Sequence, residues 1–150
     1  MVSFEKATPE DAASLAQVSK RAFHSDTQYG APKSAGGPPG YDSDTGQLRL
    51  MLMGEYYKIL KDGHIVGGII FRPLAYQHYE LTRIFVDSLY QRQGIGTRAI
   101  AFIEALHPEV KRWRLGTPKW NTRTPCFYES CGFVQIGTDR GGLLYEKTKA

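Results

Sequence analysis

Ser88-Leu89-Tyr90-Gln91-Arg92-Gln93-Gly94-Ile95-Gly96 separates a strand-forming stretch, His78 to Asp87, from a helix-forming one, Gly94 to Leu106. Aromatic and branched residues fill the first stretch. In the second, Ile95, Ala99, Phe102, Ile103 and Leu106 recur at helical spacing. A strand therefore ends, the chain turns, and a helix starts among glycines. Orphan N–H groups at such a start, together with the positive end of the helix dipole, favour an anion. Gly94 and Gly96 leave room for that anion to approach the backbone, and a pyrophosphate is the natural guest.

Other glycine loops fit less well. Gly94-x-Gly96-x-x-Ala99 is close to a dinucleotide-binding fingerprint, but that motif requires an acid at the end of the next strand. The corresponding stretch, Lys111-Arg112-Trp113-Arg114-Leu115-Gly116-Thr117, has none. No lysine follows the second glycine, which argues against a nucleoside triphosphatase loop. An ordinary tight turn between strand and helix remains the plain alternative for the six residues Gln91 to Gly96 taken alone.

Working outward, Val2 to Lys6 alternates as a half-buried strand does. Thr8-Pro9-Glu10-Asp11 has the form of a helix start, and the helix runs to about Phe23. Pro32, Gly36, Gly37, Pro38, Pro39 and Gly40 interrupt any regular element between 24 and 42. A short helix is expected over Asp44 to Met53. Tyr56 to Lys61 and His64 to Phe71 flank Asp62-Gly63, a two-residue hairpin turn. In the strand at 78–87, Leu81 has the opposite parity from Ile84 and Val86. A bulge at Thr82 or Arg83 restores one face. Trp113 to Gly116 is a short strand. A helix from about Thr124 or Pro125 to Ser130 is closed by Gly132. Phe133 to Thr138 and Leu143 to Lys147 complete the sheet. The order β-α-α-β-β-β-α-β-α-β-β predicts one α/β domain over residues 1–150, a mostly antiparallel sheet covered by helices.

The 150 residues suit one domain with its own core. No apolar run approaches a membrane span, and the N-terminus lacks the pattern of a signal peptide. Cys126 and Cys131 are too few for a structural zinc site, so no metal is expected. A reducing cytoplasm is the simple inference. The net charge of +4 is mild. Lys111, Arg112, Arg114 and Lys119 form the nearest basic cluster, interrupted by Trp113 and Gly116, and read as a solvated strand face rather than a nucleic-acid site.

Together these features resemble the GCN5-related N-acetyltransferase (GNAT) superfamily. Its coenzyme A motif, Gln/Arg-x-x-Gly-x-Gly/Ala after the fourth strand, is matched by Gln91, Gly94 and Gly96. A second signature, an asparagine followed by Phe-Tyr-Glu-x-x-Gly-Phe, is matched by Asn121 and Phe127 to Phe133. Thr124 stands where the family often has alanine. The resemblance implies a central sheet of about seven strands flanked by about four helices. It implies acetyl-CoA as cofactor and direct attack by an amine in a ternary complex.

On that resemblance, backbone groups near Phe85 and Val86 hold the pantetheine arm. The amides of Gln91, Arg92, Gln93, Gly94, Ile95, Gly96 and Thr97 hold the pyrophosphate, and Asn121 faces the cofactor. Tyr128 is the proton donor to the leaving thiolate. Glu80 is the first choice for general base, with His78 or a water as alternatives. Asp26, Tyr29, Tyr41 and Asp42, in the segment 24–42, are expected to close over a small cationic acceptor. The acceptor is a small-molecule or peptide amine of unspecified identity, and a homodimer is left open. A coenzyme A-binding module without turnover and a basic nucleic-acid-binding domain are the competing classes.

Overall fold

The computed structural model describes residues 1–25, 37–119, 124–140 and 142–149. Seven strands form one sheet: β1 (Val2–Lys6), β2 (Glu55–Lys61), β3 (His64–Ala75), β4 (His78–Val86), β5 (Arg112–Pro118), β6 (Val134–Asp139) and β7 (Gly142–Thr148). Four helices accompany them: α1 (Ala12–His24), α2 (Asp44–Met53), α3 (Ile95–Leu106) and α4 (Thr124–Ser130). The spatial order is β1-β2-β3-β4-β5-β7-β6. All neighbours are antiparallel except β4 and β5. The expected α/β class and element order are thus those of the molecule.

Local chemistry accounts for the departures. The first turn after β1 is a 3₁₀ turn over Pro9–Asp11, and α1 starts only at Ala12. The Asp11 carboxylate accepts from the Thr8 backbone N–H at 2.9 Å, which holds this turn tight. β3 runs four residues past Phe71 because it follows β4 back to His78. Pro73 is tolerated there beside a register shift, as a proline in a strand must be.

The bulge in β4 decides what each face of the sheet receives. Arg83 pairs with Ile70 and Leu81 with Phe71, so Thr82 has no opposite residue. Leu81 joins the core under α3 and α4, with Ile69, Phe71, Ile100, Ile103 and Trp113, and Ile84 and Val86 pack against the same cluster. Phe85 joins the opposite core with Leu15, Val18, Leu50, Tyr56 and Ile70, under α1 and α2. Without the extra residue, Leu81 and Phe85 would share a face.

Candidate active site

β4 and β5 run side by side only briefly. Their parallel ladder joins His78, Tyr79 and Glu80 to Arg112, Trp113 and Arg114. Beyond it β4 stays with β3 as far as Val86, while β5 follows β7 to Pro118. The two strands therefore splay apart. A cleft of about 740 Å³ opens between them. Its walls include Thr82 to Val86 of β4, Gly116 to Pro118 of β5 and Phe127 and Tyr128 of α4. The start of α3 lies at one end.

That end is built by the quoted loop. Asp87 is buried and accepts from the Leu89 N–H at 3.2 Å, which starts a 3₁₀ turn over Ser88–Tyr90. Arg21 of α1 reaches the same carboxylate at 2.8 Å, tying α1 to the loop. The Gln91 amide donates to the Val86 carbonyl at 3.0 Å and so pins the loop to the end of β4. Arg92 (φ 65) and Gly94 (φ 76) adopt left-handed backbone, which turns successive amides towards one concavity. Gly94 is the N-cap of α3, and among the described residues no side-chain hydrogen bond caps that helix.

The two glycines serve different ends. Gly94 is required for its positive φ, since a Cβ there would meet open space. Gly96 is required for its missing side chain, because a Cβ would lie 2.9 Å from the Phe127 ring. Phe127 thereby holds α4 against the start of α3.

Most of the residues expected at the cofactor meet in this cleft. Phe85, Val86, Gln91, Arg92, Gly94, Ile95, Gly96, Thr97 and Tyr128 all line it. Gln93 turns outward and accepts a hydrogen bond from Lys61. Tyr128 is buried, with ring centroids 5.1 Å from Phe127 and 5.9 Å from Phe133. Asn121, Asp26 and Tyr29 lie outside the described residues.

Glu80 is placed differently. It lines a small neighbouring pocket with Leu50, Met53, Gly54, Ile70, Arg72 and Thr82. Arg72 Nε donates to its carboxylate at 2.9 Å and the Thr82 hydroxyl at 3.2 Å. Thr82 borders both spaces and is the link between them. His78 stands at the closed end of the splay. Its Nδ1 accepts from Arg112 at 3.0 Å, and its Nε2 lies 3.9 Å from Glu146. Burial first, then the Arg112 charge, holds its pKa below the ordinary 6.5. Tyr41 is fixed edge-on to Phe23, its hydroxyl 2.7 Å from His24 Nε2, and Asp42 is exposed. Neither lines the cleft, whereas Phe23, Gly37 and Pro38 do.

Several lining residues were not anticipated from sequence. Thr117 and Thr124 join hydroxyls at 2.8 Å across β5 and α4, and the exposed thiol Cys126 stands nearby. Arg83 also lines the cleft. Carrying the parity of β4 past its bulge would have put Arg83 on the same face as Phe85.

Comparison with known proteins gives the same grouping. The profile of the acetyltransferase (GNAT) family matches residues 26–133. The chain belongs to this family. The uncharacterized protein YrkN of Bacillus subtilis (strain 168) is 39% identical over 79 residues, 51% of this chain. The match spans 43% of YrkN, less than half of its length. Among solved structures, the PaiA N-acetyltransferase of Thermoplasma acidophilum in complex with coenzyme A superimposes with a TM-score of 0.84. It is 18% identical, and 99% of each chain is covered. A GNAT acetyltransferase of Elizabethkingia anophelis with acetyl-CoA bound gives a TM-score of 0.67 at 17% identity, covering 99% of this chain and 98% of its own. At such identities the likeness is one of fold.

Proposed function

We propose that this protein binds acetyl-CoA in the β4–β5 cleft and transfers the acetyl group to an amine. The observation that carries this is the junction of the splayed strands with an uncapped, glycine-led helix start. An elongated group with a phosphate-bearing end fits that shape. The amides of Gln91 to Thr97 suit its pyrophosphate, and the ladder-free edges of β4 near Phe85 and Val86 suit an amide-bearing arm. When bound, acetyl-CoA supplies an activated thioester. Membership of the family and the ligands named for the related structures support the same reading.

The protein's own groups then manage protons. An amine with a pKa near 10 carries a proton at neutral pH that must be removed before attack. Thr82 borders the cleft and donates to Glu80, so a proton passed to the Thr82 hydroxyl is handed on to the Glu80 carboxylate. Arg72 holds that carboxylate in place. Tyr128 keeps a phenolic proton at the cleft wall for the departing sulfur. The free thiols Cys126 and Cys131 suit a reducing compartment, the cytoplasm.

Calorimetric titration with acetyl-CoA tests the cleft. The intact protein is expected to bind. Gly96→Glu is expected to abolish binding, because its carboxylate repels the pyrophosphate and its side chain displaces Phe127. No binding by the folded protein, or full affinity in a folded variant, overturns the assignment.

A further inference from the structure

Four cations elsewhere in the described residues have carboxylate partners: Arg21 with Asp87, Lys58 with Asp11, Arg72 with Glu80 and Lys147 with Glu104. Arg83 lines the cleft and is paired with no carboxylate among the described residues. Its Nη2 donates to the Pro39 carbonyl at 2.9 Å. Its Nη1 is buried and has no hydrogen-bond partner among the described residues.

A guanidinium has five N–H donors in a rigid fork suited to a carboxylate. One carbonyl leaves most of that capacity unused. The sheet face around it is apolar, with Ile70 opposite in register and Phe85 two residues on. Burial depresses the pKa of Arg83, the mark of a cation short of compensation. The bulge at Thr82 determines which face of the sheet receives Arg83, and Thr82 itself leads to Glu80. One short segment of β4 thus supplies a proton acceptor and, three residues away, an uncompensated cation.

We infer that the acceptor carries a carboxylate close to its amine, as a free amino acid does, and that Arg83 receives it. The amine then lies towards Thr82 and Glu80, and the carboxylate towards Arg83 and Pro39. This rests on the acetyl-transfer reading above and names the class of acceptor. Such an acceptor is cationic at one end and anionic at the other.

The test assays acetyl transfer to L-amino acids, each beside its own carboxamide, with spermidine and tyramine as amines lacking a carboxylate. The acids are expected to exceed their amides by about tenfold to a hundredfold in kcat/KM, the scale of one charge-assisted contact. Arg83→Gln should erase that preference through KM, leaving kcat and acetyl-CoA affinity within about threefold. Arg83→Lys should keep part of it, and serves where the glutamine variant fails to fold. Calorimetry of the best acid on the coenzyme A-bound protein gives a readout without turnover, and its affinity should fall by the same factor in Arg83→Gln. Equal use of acids and amides overturns the inference. So does turnover confined to spermidine or tyramine, or a preference that survives in both variants. If acetyl-CoA itself fails to bind, the cofactor assignment falls, and the acceptor class with it.

Discussion

The two ends of the cleft are assembled in contrasting ways. The end proposed for the cofactor comes from one continuous run, from β4 through the loop into α3. Its shape is set by backbone: an uncapped helix start, two left-handed residues and a glycine that admits Phe127. The end proposed for the acceptor gathers residues from α1, the turn at 37–41, β3 and β4, and presents charged and hydroxyl groups. A backbone site of the first kind tolerates changes of side chain that keep its geometry. A site of the second kind changes specificity with one or two substitutions, so one fold can serve many acceptors.

Tyr128 lines the cleft between β4 and β5. Phenylalanine keeps the ring against Phe127, Phe133 and Tyr145 but removes the proton. Tyr128→Phe is expected to lower kcat about a hundredfold or more, within the range of general acid catalysis. That is roughly 3 kcal/mol of barrier. Acetyl-CoA affinity should hardly change. A loss under threefold in a variant with normal melting would make Tyr128 a packing residue and water the proton donor.

A somewhat smaller effect is expected at the acceptor end. Glu80→Gln should lower kcat at neutral pH by about tenfold to a hundredfold. Thr82→Val should give part of the same loss, and the double variant little more than Glu80→Gln alone, since the two are hydrogen-bonded and are proposed to share one proton path. Rates are compared under saturating acetyl-CoA. Additive losses would show that the hydroxyl and the carboxylate work separately.

The smallest effect concerns the closed end of the splay, where His78 is enclosed by Arg112, Arg114 and Glu146. Its folded pKa lies below the ordinary 6.5, so the unfolded chain takes up the extra proton first as pH falls. The stability gained from the neutral ring is present above 6.5 and is lost as pH drops from there towards the folded value. His78→Gln should therefore flatten the pH dependence of unfolding between pH 7 and 5 without altering the pH dependence of kcat. Identical denaturation profiles for the two proteins across that range would remove His78 from this account.

Much of the architecture was legible in the chain itself. Helical spacing from Ile95 to Leu106, the Asp62-Gly63 turn and the parity break at Leu81 are local signals, each with a local physical cause, and they mark α3, the β2–β3 hairpin and the β4 bulge. The loop from Gln91 to Thr97 was legible for the same reason: strand, turn and helix start are contiguous. The length of β3 was not, because its last residues are strand only where β4 folds back on them.

The sequence by itself determined the element order, the glycine-led helix start and the family motifs. Only the tertiary structure decided that β4 and β5 part after three paired residues, that Glu80 stands beside Arg72 in its own pocket, and that Arg83 lacks a carboxylate partner among the described residues. These are relations between residues distant in the chain. Partners such as Arg21 and Asp87, or Gly96 and Phe127, are fixed by the packing of helices on two faces of one sheet, and no local pattern encodes which will meet.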